Sequence, residues 1–226
     1  MNPQPDQSTL GQQTEPRDPP VPRRGFWKKP LLQAALLGVI VAAGAAVRLY
    51  GLSSESVWYD EFNSVRYLDA PTLADFLNDQ QEYNDEMVPL YFVLQYGWAR
   101  LAGHSAWTLR LLSVLLSLGA IVLVYLLGAR LFGGWGGASA ASCMALSPFM
   151  LHYGQGLRPY PLVLVLGLVS GIAFIGMLRR RDGVLWWAVN AAANIALVWT
   201  HLFGCWLLVA EGLFLLPCAW RRPGKL

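Results

Sequence analysis

Two adjacent carboxylates stand out among the few polar residues that lie between long apolar segments of this sequence. Asp60 and Glu61 directly follow the aromatic pair Trp58-Tyr59. A carboxylate near a membrane surface can remove a proton from an attacking hydroxyl, which is general-base catalysis. Adjacent carboxylates at a helix start are more often helix-dipole partners or solvated charges. Neighbouring side chains point about 100° apart on a helix, so we expect at most one of the two to face a site.

A second candidate, Arg158, lies in a short segment between two later apolar stretches, flanked by Gln155 and Tyr160. Its guanidinium presents a planar fork of donors that fits a phosphate or phosphodiester. The alternative is an interfacial arginine that extends towards lipid phosphate, which explains most such arginines. His201, in the pair Thr200-His201, also has two interpretations, as a ligand or base and as a polar cap. A lone histidine at a helix end is more often a polar cap.

The composition shows what kind of protein must position these residues. The chain has 226 residues, of which 55% are hydrophobic and only 14% are charged. Soluble domains carry roughly a quarter charged residues. The low share of charged residues and the long apolar segments exclude a cytosolic enzyme, a DNA-binding module, a secreted disulfide scaffold and a disordered protein. The three cysteines lie inside apolar segments without metal-ligand spacing, so we expect them to be packing residues. The chain is predicted to be an all-α polytopic membrane protein.

Six apolar segments are candidates for crossing a bilayer, whose core of about 30 Å needs about 20 helical residues. They are 31–50, 109–129, 135–151, 160–178, 185–200 and 202–220. A cleaved signal peptide ending near Ala43-Gly44-Ala45 is the alternative for the first segment. That segment is longer than a usual signal-peptide core and begins far from Met1, which favours a retained anchor.

The segment 88–103 is apolar but ambiguous. If it crosses the membrane, Arg130 and the basic residues at 179–181 and 221–225 fall outside, against the positive-inside rule. If it lies flat on the membrane surface, the same residues fall on the cytoplasmic side. The basic residues therefore favour a flat, interfacial helix and about six crossings.

This topology predicts a multi-pass protein of the cytoplasmic (plasma) membrane with a cytoplasmic N-terminus. Residues 1–30 are rich in proline and polar residues and are expected to be a disordered cytoplasmic tail. Residues 221–226 form the cytoplasmic end. Residues 51–106 form a large first extracytoplasmic loop with interfacial helices, one of which is expected to begin at a cap made by Thr72 and Asp75.

Polar residues inside the last two apolar segments have two interpretations. Glu211 lies within one segment, and Asn190 and Asn194 are four positions apart in the other. A carboxylate at that depth should face the bundle interior. A structural polar lock between helices is favoured over a proton relay. The glycines at 133–137 lack the Gly-Lys-Ser/Thr that a phosphate loop needs, so no nucleotide is expected.

The order of several short motifs resembles the GT-C superfamily of membrane glycosyltransferases, in particular the protein mannosyltransferase-type and lipopolysaccharide-core-type branches. The resemblance extends over residues 31–220 and is to the N-terminal half of such enzymes. The motifs are, in order, W-Y-D-E, P-L-Y-F, L-R-L-L-S, Y-L-L-G-A-R-L-F-G, A-L-S-P-F, G-Q-G-L-R-P-Y and T-H.

This resemblance implies a transferase that takes a sugar from a polyprenyl-phosphate donor outside the cytoplasmic membrane. It implies catalytic roles for Asp60 and Glu61, with Asp60 as the base, and substrate binding by Arg158 near the carrier phosphate. Gln155, Tyr160 and His201 complete the implied substrate site. The implied partners are the lipid-linked donor, a glycan, lipid or protein acceptor and the membrane lipids, with no nucleic acid.

Two departures from the superfamily pattern leave alternatives open. Gly156 stands where relatives commonly have a glutamate, and Met87-Val88 stands where they have His-Pro. The metal is therefore unknown, and a divalent cation remains an alternative. The alternatives to an active enzyme are a truncated or degenerate non-catalytic relative, and a membrane transporter or scaffold subunit. A transporter would concentrate ionisable groups at mid-membrane, where only Glu211 qualifies.

Overall fold

The computed structural model describes residues 30–52, 54, 56–83, 88–179 and 183–221. This part of the chain is helical and contains no β-strand, which confirms the predicted all-α class. The tail predicted over 1–30 lies outside the described residues except for Pro30, and so does 221–226 except for Arg221. The helices are α1 (Pro30–Leu49), α2 (Tyr59–Val65), α3 (Leu73–Tyr83), α4 (Leu90–Ala102), α5 (Ala106–Leu146), α6 (Pro148–Gln155), α7 (Tyr160–Arg179), α8 (Val184–Val198) and α9 (Gly204–Arg221).

The described residues include three helices that are long and apolar enough to cross a membrane: α1, α5 and α7. The apolar parts of α8 and α9 are shorter. These helices agree with a polytopic membrane protein. The count of six crossings stays a prediction.

Helix α5 is a helical hairpin, because the chain reverses at Gly133, whose φ of 83° and ψ of 174° are not helical. A Cβ at Gly128 would lie 2.9 Å from the Cα of Gly137. Nine residues of straight helix would separate these positions by about 13 Å. The two arms, 106–132 and 134–146, correspond to the segments predicted over 109–129 and 135–151.

The second arm ends earlier than the sequence suggested. It stops at Leu146 instead of continuing to residue 151, and α6 begins at Pro148. Pro148 has no N–H to continue the helical hydrogen bonds. The hydroxyl of Ser147 accepts a hydrogen bond from the Met150 N–H at 3.5 Å and so caps the new helix. The break separates the apolar second arm from the polar end of α6.

The core between α1 and the hairpin is built from small and aliphatic side chains. Gly44 of α1 faces Ile121 of the first arm and Ala145 of the second, so both arms pack on the same helix. Ala138 and Ala141 are also buried there. Small residues allow such close approach of helices in a membrane.

A partly buried polar cluster joins α7, α8 and α9. The carboxylate of Glu211 accepts hydrogen bonds from Asn194 Nδ2 at 2.8 Å, Asn190 Nδ2 at 3.2 Å and Ser170 Oγ at 2.8 Å. Its partners are neutral side chains on two neighbouring helices. This arrangement supports the interpretation as a lock between helices.

Helices α2, α3 and α4 form the segment between α1 and α5. The Thr72 hydroxyl accepts from the Asp75 N–H at 3.1 Å, as predicted for the start of α3. Helix α4 has 13 residues, too few to cross a bilayer. Its first N–H, from Leu90, donates to the Trp199 carbonyl at 2.9 Å and so attaches α4 to the end of α8. The flat orientation of α4 stays a prediction.

Candidate functional site

The structure brings Asp60 and Arg158 together, although they are far apart in the chain. The Nη1 atom of Arg158 lies 3.3 Å from Asp60 Oδ2, and the same nitrogen donates to the Asp60 carbonyl at 3.4 Å. Helix α2 supplies the carboxylate, and the turn between α6 and α7 supplies the guanidinium. Asp60 is 41% exposed and Arg158 is 28% exposed. The pair is therefore accessible to a ligand.

Glu61 points the other way and is buried. Its side chain is 2% exposed, and Arg110 Nη2 lies 2.7 Å from its Oε2. Its Oε1 accepts a hydrogen bond from the Leu157 N–H at 2.9 Å. Arg110 also donates to the Leu52 carbonyl at 3.0 Å. Glu61 thus joins α2 to the start of α5 and to the residue immediately before Arg158.

Gln155 fixes the end of α6 to the end of α1. Its Nε2 donates to the Arg48 carbonyl at 2.9 Å and to the Tyr50 carbonyl at 3.2 Å. At Gly156, a Cβ would lie 3.6 Å from Glu61 Oε1, which is ordinary contact. An acidic side chain at 156 would therefore start beside a carboxylate that is already paired.

Tyr160 and His201 belong to a row of aromatic rings along one side of the site. Their ring centroids are 5.8 Å apart, and the Arg158 guanidinium lies 5.6 Å from the Tyr160 ring. Tyr153 continues the row 4.7 Å from Tyr160, and Phe203 stacks on His201 at 4.9 Å. Aromatic faces combined with a cation suit a sugar or a phosphate ester at this position.

The surroundings of His201 favour its neutral form. Burial, and then the positive charge of Arg158, lower the pKa of His201 below its usual range. Its Nδ1 accepts a hydrogen bond from the Phe203 N–H at 3.2 Å. The neighbouring Thr200 is buried, and its hydroxyl donates to the Ala196 carbonyl at 2.7 Å.

Two cavities meet at the Asp60–Arg158 pair, which lines both of them. The first has a volume of about 380 Å³, and its wall includes Glu61, Arg110, His152, Tyr153, Gln155 and Tyr160. The second has a volume of about 490 Å³, and its wall includes Asn63, Ser64, Phe92, Thr200, His201 and Phe203. A carboxylate and a guanidinium thus stand between two spaces that are each large enough for part of a substrate.

A third, apolar cavity of about 250 Å³ adjoins the first one. Tyr153 and Tyr160 line both. The rest of its wall comes from residues such as Phe149, Met150, Val163 and Leu164. A polar space next to an apolar one fits a ligand with a charged head and a hydrocarbon chain.

The described residues contain no group of three or more His, Cys, Asp or Glu side chains that could hold a metal ion. A divalent cation stays an alternative.

The six site residues expected from the sequence all lie in this region. Sequence reasoning did not single out Arg110, the buried partner of Glu61, or Arg48. A usable signal was present for both, because an arginine inside an apolar helix needs an internal partner.

One of the comparisons with known proteins identifies a family. The family model described as dolichyl-phosphate-mannose-protein mannosyltransferase matches residues 87–222, which is more than half of the chain. The matched region contains Arg110, Arg158 and His201, and it begins after Asp60 and Glu61. Neither a curated protein nor a solved structure matches the chain.

Proposed function

Because the chain belongs to the dolichyl-phosphate-mannose-protein mannosyltransferase family, a GT-C type of membrane glycosyltransferase, we propose that it moves a sugar from a polyprenyl-phosphate donor to an acceptor hydroxyl at the extracytoplasmic face of the membrane. The observation that carries this proposal is the Asp60–Arg158 pair between two cavities.

In the proposed reaction the acceptor oxygen attacks the anomeric carbon of the sugar. The bond from that carbon to the carrier phosphate breaks, and polyprenyl phosphate leaves as an anion. Asp60 accepts the proton of the acceptor hydroxyl, as a general base. Arg158 stabilises the negative charge that develops on the leaving phosphate. The accessible Asp60 side chain, with the guanidinium beside it, supports these roles.

Glu61 has a different role in this proposal. Both of its oxygens are engaged by Arg110 and by the Leu157 N–H. It therefore fixes the positions of Asp60 and Arg158 relative to each other and does not accept the proton of the acceptor hydroxyl. Among the two carboxylates, the exposed one is assigned to chemistry and the buried one to positioning.

The three cavities suggest how the substrates are arranged. The polar cavity that contains Gln155 and Tyr160 would hold the sugar and the phosphate, with the hydrocarbon chain in the apolar cavity beside it. The cavity that contains Asn63 and His201 would then hold the acceptor. Asp60 lines this second cavity as well, so it can reach an acceptor hydroxyl.

The extracytoplasmic placement is supported by the two ends of α7. Tyr160 begins this helix at the site, and Arg179 ends it about 30 Å away, since it has 20 residues. At that far end Arg179 donates to the Arg130 carbonyl at 2.9 Å. Basic residues prefer the cytoplasmic side, so the site is assigned to the outer side.

The test is sugar transfer by the purified full chain in detergent, with a radiolabelled polyprenyl-phosphate mannose. Asp60→Asn should lower the transfer rate by roughly a hundredfold or more, because it removes the base. Asp69→Asn is the matched control, since Asp69 is 93% exposed and lines none of the three cavities. Normal transfer by Asp60→Asn would refute the assignment of the base.

A further inference from the structure

Arg48 is a fully buried arginine near the end of α1 whose hydrogen-bond partners are neutral groups. Its Nε donates to Ser117 Oγ at 2.8 Å, and its Nη1 donates to the Ala145 carbonyl at 2.9 Å and the Gly44 carbonyl at 3.2 Å. Its Nη2 donates to the Met144 carbonyl at 3.3 Å. One guanidinium thus joins α1 to both arms of the hairpin.

The two carbonyls at the end of the second arm need these donors. In an α-helix the carbonyl of residue 144 would accept from the N–H of residue 148. Residue 148 is Pro148, which has no N–H. Ser147 has a ψ of 122°, so the helix breaks there and the Ala145 carbonyl also loses its regular geometry. A carbonyl without a donor is costly where water is scarce, and Arg48 supplies the donor.

The same guanidinium supports the end of α6. A Cβ at Gly154 would lie 2.8 Å from Ser117 Oγ and 3.3 Å from Arg48 Nε, so this glycine rests directly on the pair. The next side chain, Gln155, donates to the Arg48 carbonyl at 2.9 Å. Three residues later Arg158 meets Asp60.

We propose that Arg48 is a positioning residue that sets the direction of α6 and thereby places the turn at 156–158 in the site. Its effect on transfer rests on the proposed function, but its effect on α6 does not. A lysine could not replace it, because a single ammonium group cannot reach Ser117 and the carbonyls of Met144 and Ala145 together, whereas the planar fork can.

The experiment compares wild type and Arg48→Lys by hydrogen–deuterium exchange of the full chain in detergent. Amide exchange over 148–158 should rise about tenfold in the variant, because it loses the guanidinium hydrogen bonds to Ser117, Met144 and Ala145, which hold the end of the second arm from which α6 starts. Exchange in the middle of α7 and α8 should stay unchanged. The matched control is Arg130→Lys, because Arg130 is exposed and reaches one carbonyl, that of Ile172, at 3.5 Å.

A second variant keeps the test decisive if Arg48→Lys does not fold. Ser117→Ala removes one partner of Arg48, and it should raise exchange in the same segment by a smaller factor. Unchanged exchange over 148–158, or an equal rise in α7 and α8, would overturn the proposal.

Transfer kinetics supply the second readout. A displaced Arg158 should lower kcat of Arg48→Lys while KM for the acceptor stays within about twofold, because the defect lies at the leaving phosphate. Unchanged kcat would refute the link to the site. If wild type shows no transfer, the proposed function fails, whereas the exchange result still decides the role of Arg48.

Discussion

The Asp60–Arg158 site and the α7–α9 bundle each contain a polar cluster built around a carboxylate, and the two clusters differ in their access to a cavity. Around Glu211 the partners are neutral amides and a hydroxyl on neighbouring helices, and these residues line none of the three cavities described above. Around Asp60 and Glu61 the partners are arginines, and one carboxylate stays accessible. The polar groups around Glu211 therefore join helices. The chemistry is assigned to Asp60 and Arg158, because this charged pair lines a cavity.

The largest effect should come from breaking the buried Arg110–Glu61 pair beside the Asp60–Arg158 site. Arg110→Met leaves Glu61 buried without a cation, which should lower the free energy of unfolding by about 3–5 kcal/mol. Denaturant titration in mixed micelles measures this. In the double variant with Glu61→Gln the loss should be smaller, because the amide is neutral and can still accept from Leu157. Equal losses in the single and double variants would contradict the pairing.

A smaller effect is expected in the interior region. Glu211→Leu removes the acceptor that Asn190, Asn194 and Ser170 share, which should cost roughly 1–3 kcal/mol of stability. Glu211→Gln keeps one acceptor oxygen and should cost less. Sugar transfer per folded molecule should stay within about twofold of wild type in both variants. Loss of transfer at full folding would place Glu211 in the mechanism and remove the contrast between the regions.

The smallest effect concerns the pH dependence of stability at His201. The pKa of His201 is lowered in the folded protein, so the unfolded chain takes up this proton first as the pH falls. Stability should therefore decrease slightly once the pH drops below the usual histidine value of about 6.5, and it should level off below the lowered pKa. His201→Asn, which can still accept at its side-chain oxygen, should show a smaller decrease in unfolding temperature between pH 7.5 and 5.5.

Much of this site was predictable from the sequence, because few residue types can act as a general base or bind a phosphate. Among the polar residues between apolar segments, Asp60 and Arg158 were expected on one side of the membrane, and they form an ion pair. The 100° rule also indicated that only one of the two carboxylates would face a site. Which of them is buried could not be predicted, because the deciding partner, Arg110, lies 49 positions away in the chain.

The limits of the fold prediction have a similar cause. Hydropathy separated the two arms of α5. It could not show that the chain reverses its direction between them through one residue, Gly133, at positive φ. Proline at 148 was visible in the sequence, yet the predicted span continued through it to 151. The second arm ends at a local break, and Arg48 donates hydrogen bonds to the carbonyls of Met144 and Ala145 that the break exposes. These hydrogen bonds are tertiary contacts, which hydropathy does not predict.

The shared wall between the two larger cavities has a thermodynamic consequence. Because Asp60 and Arg158 line both spaces, any ligand that moves this pair on one side changes the surface offered on the other. The two occupancies are then linked, and each ligand changes the affinity for the other by the same factor. A charged head that draws Arg158 towards the first cavity frees the Asp60 oxygen for the second. Occupancy of one side would thus prepare the other side for its ligand.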